Sequence, residues 1–322
     1  MTITREQAEW FAGTFDQLAS NVELAVVGKP EIVRLALACM LTSGHLLLED
    51  VPGTGKTSLA KAVANTVHGT HSRIQFTPDL LPSDVTGVTI YDQRNGTFEF
   101  HPGPVFATVV LADEINRASP KTQSALLEVM EESRITVDGV THDVGAPFMV
   151  IATQNPIEQA GTYRLPEAQL DRFLMRTSLG YPDRESTVSL LADASLRDRT
   201  TGVEPLITAT AVNDMATLAE GVHVDSSVLS YISEIIDATR SAPEVRLGVS
   251  MRGALALVRA TKTWAAAHGR IYVTPDDVKD LAEPVLSHRI ILEPEAEFAG
   301  AKVTTLISSI LADVPPPVDR GA

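Results

Sequence analysis

Cysteine is almost absent from this chain of 322 residues, in which Cys39 stands alone. One cysteine cannot form an internal disulfide, so a packed core must hold the fold, and the composition favours a reducing compartment. Cys39 lies in an apolar run at residues 35–41, which predicts a small buried core residue rather than a nucleophile. Aromatic residues are also scarce, at 5%, so we expect a core made mainly of Leu, Val, Ile and Ala.

Long apolar runs and positive charge are in short supply as well. No stretch reaches the roughly 18 apolar residues of a membrane helix, and the first residues carry no apolar signal segment. We therefore expect a cytoplasmic protein without a membrane span. The chain has 26 Lys and Arg against 41 Asp and Glu, a formal charge of −15. Nucleic acids and anionic membranes are bound by basic surfaces, so this charge argues against both partners, unless assembly builds a local basic channel.

The first half of the chain alternates short apolar strands with helical patterns. Such alternation is typical of a parallel sheet with helices on both faces. Two hairpins, at 88–100 and 135–144, are predicted as insertions, because each contains an Asn-Gly or Asp-Gly turn signal. After Pro182 the pattern is helical, so we predict two domains, 1–182 and 183–322. The predicted strands of the sheet lie near residues 45–48, 73–76, 108–112 and 148–152.

A glycine-rich turn joins the first predicted strand to a helix. It runs from Asp50 to Thr57 and departs from the strict P-loop pattern G-x-x-x-x-G-K-[ST] only at its first position, where Asp50 replaces glycine. In such a loop the glycines let backbone N–H groups approach phosphate oxygens, the lysine contacts the β- and γ-phosphates, and the following hydroxyl ligates Mg²⁺. The turn therefore predicts a site for ATP and Mg²⁺, formed by Pro52, Gly53, Thr54, Gly55, Lys56, Thr57 and Ser58.

Polar side chains follow two later strands of the predicted sheet. Asp113 and Glu114 end the third strand, where an aspartate can orient the Mg²⁺ shell and a glutamate can act as general base on the attacking water. Asn155 follows the fourth strand, where it could hold that water or sense the γ-phosphate. Because the carboxyl ends of parallel strands meet at one crevice, we expect all three beside the loop. Thr57 and Asp113 are the predicted magnesium residues, and Glu114 makes hydrolysis the predicted reaction.

Five segments of the chain form an ordered set. They are V-P-G-T-G-K-T at 51–57, F-T-P-D-L-L-P-S-D-V-T-G at 76–87, L-A-D-E-I-N-R-A at 111–118, A-T-Q-N-P-I-E-Q-A-G-T-Y-R-L-P-E-A-Q-L-D-R-F at 152–173 and S-M-R-G-A-L-A-L at 250–257. This set resembles the MoxR family of AAA+ ATPases, in which a residue other than glycine is ordinary at the position of Asp50. The resemblance implies an α/β fold of the AAA+ (ASCE P-loop) class, a three-layer αβα parallel sheet of order 5-1-4-3-2. The two inserted β-hairpins would be the family's helix-2 and pre-sensor-1 inserts, followed by a C-terminal all-helical lid domain.

The resemblance also implies roles for residues outside the loop. Asn155 matches sensor 1, Arg172 matches the arginine finger that one subunit donates to its neighbour's ATP, and Arg252 matches sensor 2 in the lid. A guanidinium finger stabilises the charge on the γ-phosphate in the transition state and raises the rate by about 10³- to 10⁵-fold. Val27 and Gly28, just before the second helix, are predicted to contact adenine. Arg172 could instead form a surface ion pair with Asp171 or Glu167. The competing finger candidates are Arg117, Arg164 and Arg176.

The implied function is ATP hydrolysis in a homo-oligomeric ring, expected to be a hexamer. MoxR-like ATPases are associated with chaperone-like remodelling, maturation or cofactor insertion in client proteins, often together with a partner that carries a von Willebrand A-type domain. Three alternatives stay open at this point. They are a nucleotide-switched binding module with little turnover, a magnesium-chelatase-like ATPase subunit, and a nucleic-acid motor, which the charge of −15 disfavours.

Overall fold

The computed structural model describes residues 2–155, 163–192 and 198–317; residues 156–162, which carry part of the family resemblance, lie outside it. By its internal contacts the chain divides into two compact units. The αβα unit comprises Gln17–Phe173 and Thr177–Asn213, and the helical unit comprises Met1–Asp16, Leu174–Arg176 and Asp214–Ala322. These bounds differ from the single division predicted after Pro182, which stays a prediction.

Both strands and helices occur up to residue 208, and local signals mark the ends of the helices. The fifth helix, for example, begins with a proline and is capped by Ser119, whose hydroxyl accepts a hydrogen bond from the backbone N–H of Thr122. The elements are α1 (Arg5–Glu23), α2 (Pro30–Leu41), β1 (Leu46–Glu49), α3 (Lys56–Thr66), β2 (His71–Gln75), α4 (Pro82–Thr86), β3 (Gly87–Asp92), β4 (Thr97–Pro102), β5 (Val109–Asp113), a 3-10 turn (Ile115–Arg117), α5 (Pro120–Glu132), β6 (Arg134–Val137), β7 (Val140–Asp143), β8 (Met149–Gln154), α6 (Glu167–Leu170), β9 (Met175–Thr177), α7 (Arg184–Ala192) and a 3-10 turn (Arg199–Gly202).

Five strands form the central sheet, in the order β2-β5-β8-β1-β9. Numbered by their sequence among the five, this is the predicted order 5-1-4-3-2, which is confirmed. The pairs β2/β5, β5/β8 and β1/β8 are parallel, and β8 lies between β5 and β1. All five residues of β5 are buried, because a parallel sheet covered on both faces admits apolar side chains on either side. The carboxyl ends of β5, β8 and β1 therefore lie next to one another.

The two predicted hairpins are present as separate antiparallel pairs, β3 with β4 and β6 with β7. In the second hairpin the turn residues Asp138 and Gly139 have φ values of 51° and 79°. Positive φ at both central residues is the signature of the type I′ turn that Asp-Gly favours. The turn signal thus located this hairpin correctly, and the pairing extends from Arg134 opposite Asp143 to Val137 opposite Val140.

The rest of the chain, predicted to be all helical, is mainly helical, but its described residues also contain a short antiparallel strand pair. The two strands, β10 (Val245–Leu247) and β11 (Ile291–Leu292), are too short to show the alternation that marks a strand. Among the described helices, none is long and apolar enough to cross a membrane. The elements are α8 (Ala209–Glu220), α9 (Ser226–Ser241), β10 (Val245–Leu247), α10 (Met251–Ala267), α11 (Pro275–Leu286), a 3-10 turn (Ser287–Arg289), β11 (Ile291–Leu292), α12 (Pro294–Phe298) and α13 (Val303–Asp313).

Cys39 and His45 have titratable side chains and are both buried in the αβα unit. Cys39 is fully buried in α2, as predicted. His45, just before β1, is also buried, and its Nε2 lies 2.9 Å from the carbonyl oxygen of Met130, while its Nδ1 accepts a hydrogen bond from Val150 N–H at 3.0 Å. This pair of contacts requires the neutral ring with the proton on Nε2. Burial lowers the pKa of His45 to about 4.

His45 is therefore expected to make the protein less stable in mild acid. In the unfolded chain a histidine takes up a proton below about pH 6.5, whereas the folded protein resists protonation until about pH 4. Its contribution to stability is complete above pH 6.5 and is lost as the pH falls towards 4. We expect a loss of about 2 kcal/mol in the free energy of unfolding between pH 7 and pH 5, measured by urea titration.

The matched control is His45→Asn, whose amide oxygen can still accept from Val150. This variant should be less stable than the wild type at pH 7, because the carbonyl oxygen of Met130 loses its donor. Its loss between pH 7 and pH 5 should be smaller by about 2 kcal/mol, since the titrating ring is gone. Equal losses in the two proteins would show that His45 does not titrate in this range.

Candidate active site

The loop between β1 and α3 has the backbone shape that its glycines permit. Gly53 and Gly55 have φ values of 85° and 96°, in the left-handed region that side chains other than glycine rarely adopt. Gly55 is the N-cap of α3, and its carbonyl oxygen accepts the N–H of Leu59. The N–H groups of the first turn of α3 have no partner within the helix, and the helix dipole makes this end positive. The loop thus has the geometry of an anion site.

A cleft of about 280 Å³ lies over this loop. Thr54 Oγ1 is buried there without a hydrogen-bond partner in the part of the chain that the structure describes. Among the described residues, Lys56 Nζ makes long contacts only, 3.4 Å to the carbonyl oxygen of Asp50 and 3.3 Å to that of Val51, so it can turn to a phosphate at little cost. Ser58 lies half-buried in the first turn of α3. The cleft is lined by Pro52, Gly53, Thr54, Gly55, Lys56, Thr57, Arg73, Gln75, Asp113 and Glu114.

The predicted magnesium residues Thr57 and Asp113 both line this cleft. A hydroxyl and a carboxylate suit Mg²⁺, which prefers oxygen ligands and usually reaches a protein with its phosphates and several waters. No cluster of three or more His, Cys, Asp or Glu side chains that could hold a metal occurs among the described residues. The donors present therefore fit an ion that arrives with a nucleotide rather than one held by the protein alone.

One hydroxyl contacts both adjacent acidic residues, Asp113 through its carboxylate and Glu114 through its backbone. Thr153 on β8 donates through Oγ1 to Asp113 Oδ1 at 2.6 Å, and the same oxygen accepts the backbone N–H of Glu114 at 2.8 Å. Glu114 has a left-handed backbone, with φ of 56° and ψ of 49°. A glutamate with positive φ is uncommon, and such strain is frequent at functional sites. Here it turns the chain sharply after β5, so that Asp113 and Glu114 both reach the cleft.

Two side chains of β2 complete the cleft, and sequence reasoning missed both. Arg73 donates to Asp113 Oδ2 at 2.7 Å and to Gln75 Oε1 at 3.1 Å, while Gln75 Nε2 donates to Glu114 Oε2 at 2.7 Å. Arg117 also donates to Glu114 Oε2, at 3.0 Å. Both carboxylates are therefore joined in one polar network. The available signal was the period of two along β2, where Arg73 and Gln75 flank the buried Ile74.

Comparisons with known proteins agree with this geometry. The profile of the ATPase family associated with various cellular activities (AAA) matches residues 45–175, and that of the AAA lid domain matches residues 237–310. The chaperone MoxR1 of Mycobacterium tuberculosis is 38% identical over 94% of this chain and 82% of its own length. The chain belongs to the MoxR family of AAA+ ATPases. Membership of this ATPase family implies nucleotide binding.

Two further relatives extend the match over nearly the whole MoxR-family chain. The uncharacterized protein YeaC of Bacillus subtilis is 49% identical over 94% of both chains. A candidate ATPase from Cytophaga hutchinsonii, known from a crystal structure, is 39% identical in sequence. The two structures superpose with a TM-score of 0.90, over 97% of this chain and 98% of the Cytophaga chain. The fold described above is thus that of a MoxR-type AAA+ protein, including its lid.

The other residues predicted for this MoxR-family protein are not among the described residues that line the cleft. Asn155 is buried and directly follows β8, between the ends of β5 and β1. Arg172 follows α6, and its Nη2 lies 3.0 Å from Glu131 Oε2 in the same chain. Of the competing candidates, Arg117 contacts Glu114 as described, Arg164 is exposed, and Arg176 lies half-buried in β9.

Val27 is half-buried, and Gly28 lies beside α7. Gly28 has a φ of 74°, and a Cβ built on it would come within 2.0 Å of Ser186 Oγ and 2.7 Å of Ser186 Cβ. Only glycine fits this position, because both the backbone and the neighbouring helix exclude a side chain. Arg252 is the second residue of α10 in the helical unit, and its side chain is exposed. The roles of Val27, Gly28 and Arg252 stay predictions.

Proposed function

We propose that this protein hydrolyses ATP with Mg²⁺ in the cleft over the phosphate loop. The observation that carries the proposal is that one cleft gathers Lys56 and Thr57 at the start of α3 with Asp113 and Glu114 at the end of β5. The first pair suits the grip on a triphosphate and its metal. The second pair suits the chemistry, because it supplies a carboxylate for the metal shell and another that can take a proton.

Each side chain has a distinct task in this proposal. Lys56 Nζ and the first N–H groups of α3 hold the phosphates, while Thr57 and Asp113 would hold Mg²⁺, which offsets negative charge on the phosphate oxygens. Glu114 accepts the proton of the attacking water at its carboxylate. Gln75 and Arg117 keep that carboxylate in place, since both donate to Glu114 Oε2. Asn155 orients the water, in the role of sensor 1.

The proposal extends to an assembly. Arg172 acts as an arginine finger on the ATP of the next subunit in a ring, for which six subunits are the expected number. Two observations support this. Arg172 is not among the described residues that line the cleft of its own chain, and AAA proteins typically oligomerise. Arg252 acts as sensor 2 from the lid, residues 183–322, on the core domain, 1–182. Val27 and Gly28 contact the adenine.

The work done with ATP is proposed to be chaperone-like remodelling, maturation or cofactor insertion in a client protein in the cytoplasm. The relative from Mycobacterium tuberculosis carries the name of a chaperone, which supports this class of function. A protein with a von Willebrand A-type domain is the proposed link to the client. The formal charge of −15 speaks against nucleic acid as the client.

The direct test is phosphate release by the purified wild-type protein with Mg²⁺ and ATP, alongside thermal unfolding with and without nucleotide. We expect turnover that stops on addition of EDTA, and a rise in melting temperature with ATP. Lys56→Ala serves as the background for both measurements. Stabilisation by ATP without phosphate release would replace the hydrolase by a nucleotide-switched binding module, and the absence of both would refute nucleotide binding at this cleft.

A further inference from the structure

Asp50 stands where the strict phosphate-loop pattern has glycine, and both oxygens of its carboxylate accept hydrogen bonds. The residue is 3% exposed. Its Oδ1 accepts hydrogen bonds from Ser178 Oγ at 2.9 Å and Gly180 N–H at 2.8 Å, and its Oδ2 accepts Leu179 N–H at 2.6 Å. A buried carboxylate is tolerated only when donors surround it in this way. The first residue of the loop is therefore fastened to a segment 128 residues later in the chain.

The same segment also contacts the other end of the site. Just after Gly180, the carbonyl oxygen of Tyr181 accepts a hydrogen bond from Lys29 Nζ at 2.7 Å. A few residues further, Ser186 lies so close to Gly28 that a Cβ there would clash with it. The segment from Ser178 to Ser186 thus contacts the phosphate loop at one end and the Gly28–Lys29 turn at the other.

The backbone of Asp50 links the loop to the catalytic strand ends. Its N–H donates to the carbonyl oxygen of Gln154 at 3.1 Å, next to Asn155, and its own carbonyl oxygen lies 3.4 Å from Lys56 Nζ. Most contacts of such a loop with phosphate come from backbone N–H groups, whose positions follow the path of the chain. A residue that fixes this path therefore affects every one of those contacts.

We propose that Asp50 is a positioning residue for the nucleotide. Its carboxylate holds the phosphate loop against the segment Ser178–Gly180. This attachment fixes the distance between the phosphate loop and the Gly28–Lys29 turn, where the base is proposed to bind. This inference rests on the proposed function, because the base end is assigned through Val27 and Gly28. Glycine, the residue of the strict pattern, permits the same loop but provides no such attachment.

Three variants test the inference by equilibrium binding of Mg²⁺ and a fluorescent ATP analogue. Asp50→Gly should raise the dissociation constant about tenfold or more, although it restores the strict pattern. Asp50→Asn keeps the size but turns an amide N–H toward one of three donors, so an intermediate rise is expected. Ser178→Ala removes one donor without touching the loop and should raise the constant about two- to threefold.

The decisive comparison is the double variant Asp50→Gly with Ser178→Ala. If Ser178 acts through Asp50, its substitution should have no further effect once Asp50 is glycine. Binding is measured at a temperature at which circular dichroism shows every variant folded. A merely structural role would lower the melting temperature and leave the dissociation constants of the folded variants at the wild-type value.

Amide hydrogen exchange gives a readout of the attachment that does not depend on nucleotide. The N–H groups of Leu179 and Gly180 should exchange faster in Asp50→Gly than in the wild type, because they lose their acceptor. This inference alone would be overturned if the wild type binds ATP normally and Asp50→Gly has the same dissociation constant. It would also be overturned if Ser178→Ala has the same effect in the wild type and in Asp50→Gly. Absence of ATP binding by the wild type would instead overturn the proposed function.

Discussion

Replacing Glu114 by glutamine is expected to slow ATP hydrolysis by about 10²- to 10⁴-fold while ATP binding stays close to that of the wild type. Glutamine has the same size and retains one oxygen that can accept from Gln75 and Arg117, as Glu114 Oε2 does at 2.7 and 3.0 Å. It cannot take a proton from water at neutral pH. Phosphate release at saturating ATP, and binding of a fluorescent ATP analogue, measure the two effects separately.

The matched control is Glu132→Gln, which removes an exposed carboxylate at the end of α5 that pairs with Arg134. Exposed pairs of this kind contribute little, so hydrolysis should be unchanged. Wild-type turnover in Glu114→Gln would remove Glu114 as the base and would favour the switched binding module over the hydrolase. Loss of ATP binding in the same variant would show that Glu114 holds the site together rather than acting on water.

The sequence predicts those parts of the site in which a local motif and the strand order place the same residues together. The turn after β1 combines positive-φ glycines with a lysine and a hydroxyl, and its shape needs no distant residue. Asp113 and Glu114 could be placed beside it because they end a fully buried strand. In a parallel sheet, the ends of such strands meet at one edge, so strand order alone brings these residues to the loop.

The parts that could not be predicted depend on pairings between distant segments. Gln75 reaches Glu114 because it lies opposite Asp113 in the register of β2 and β5, which no local pattern reveals. The role of Asp50 also depends on residues far away in the sequence. By sequence it is a departure from a motif, and only the fold shows the three donors at Ser178, Leu179 and Gly180 that explain an acid there. Long-range hydrogen bonds of this kind are decided by tertiary structure rather than by local preference.

The polar network in the cleft fixes the positions of the Asp113 and Glu114 carboxylates. Arg73 holds Asp113, and Gln75 joins Arg73 to Glu114. The Arg73 guanidinium beside Asp113 lowers the electrostatic cost of placing two carboxylates next to one another. Because Asp113 and Glu114 share this network, a change at one carboxylate is transmitted to the other, and their substitutions should not act independently.

Arg172→Ala is expected to reduce ATP hydrolysis by about 10³- to 10⁵-fold, because the guanidinium stabilises charge on the γ-phosphate in the transition state. Binding of ATP should persist, since the cleft of the same chain does not include Arg172 among its described lining residues. The variant should also fold, because the ion pair it removes, with Glu131, is partly exposed, with exposed side-chain fractions of 28% and 42%. Arg164→Ala, at an exposed site nearby in sequence, is the control and should hydrolyse normally.

Mixing two inactive variants tests whether the finger acts on a neighbouring subunit. Lys56→Ala has an intact finger and a defective site, whereas Arg172→Ala has an intact site and no finger. In a head-to-tail ring assembled from equal amounts, about one interface in four combines the intact site with the intact finger. Hydrolysis should therefore recover to as much as about a quarter of the wild-type rate. No recovery after dissociation and reassembly would contradict a finger acting between subunits, and so would full wild-type activity in a dilute monomer, because a monomer would then need no neighbour to complete its site.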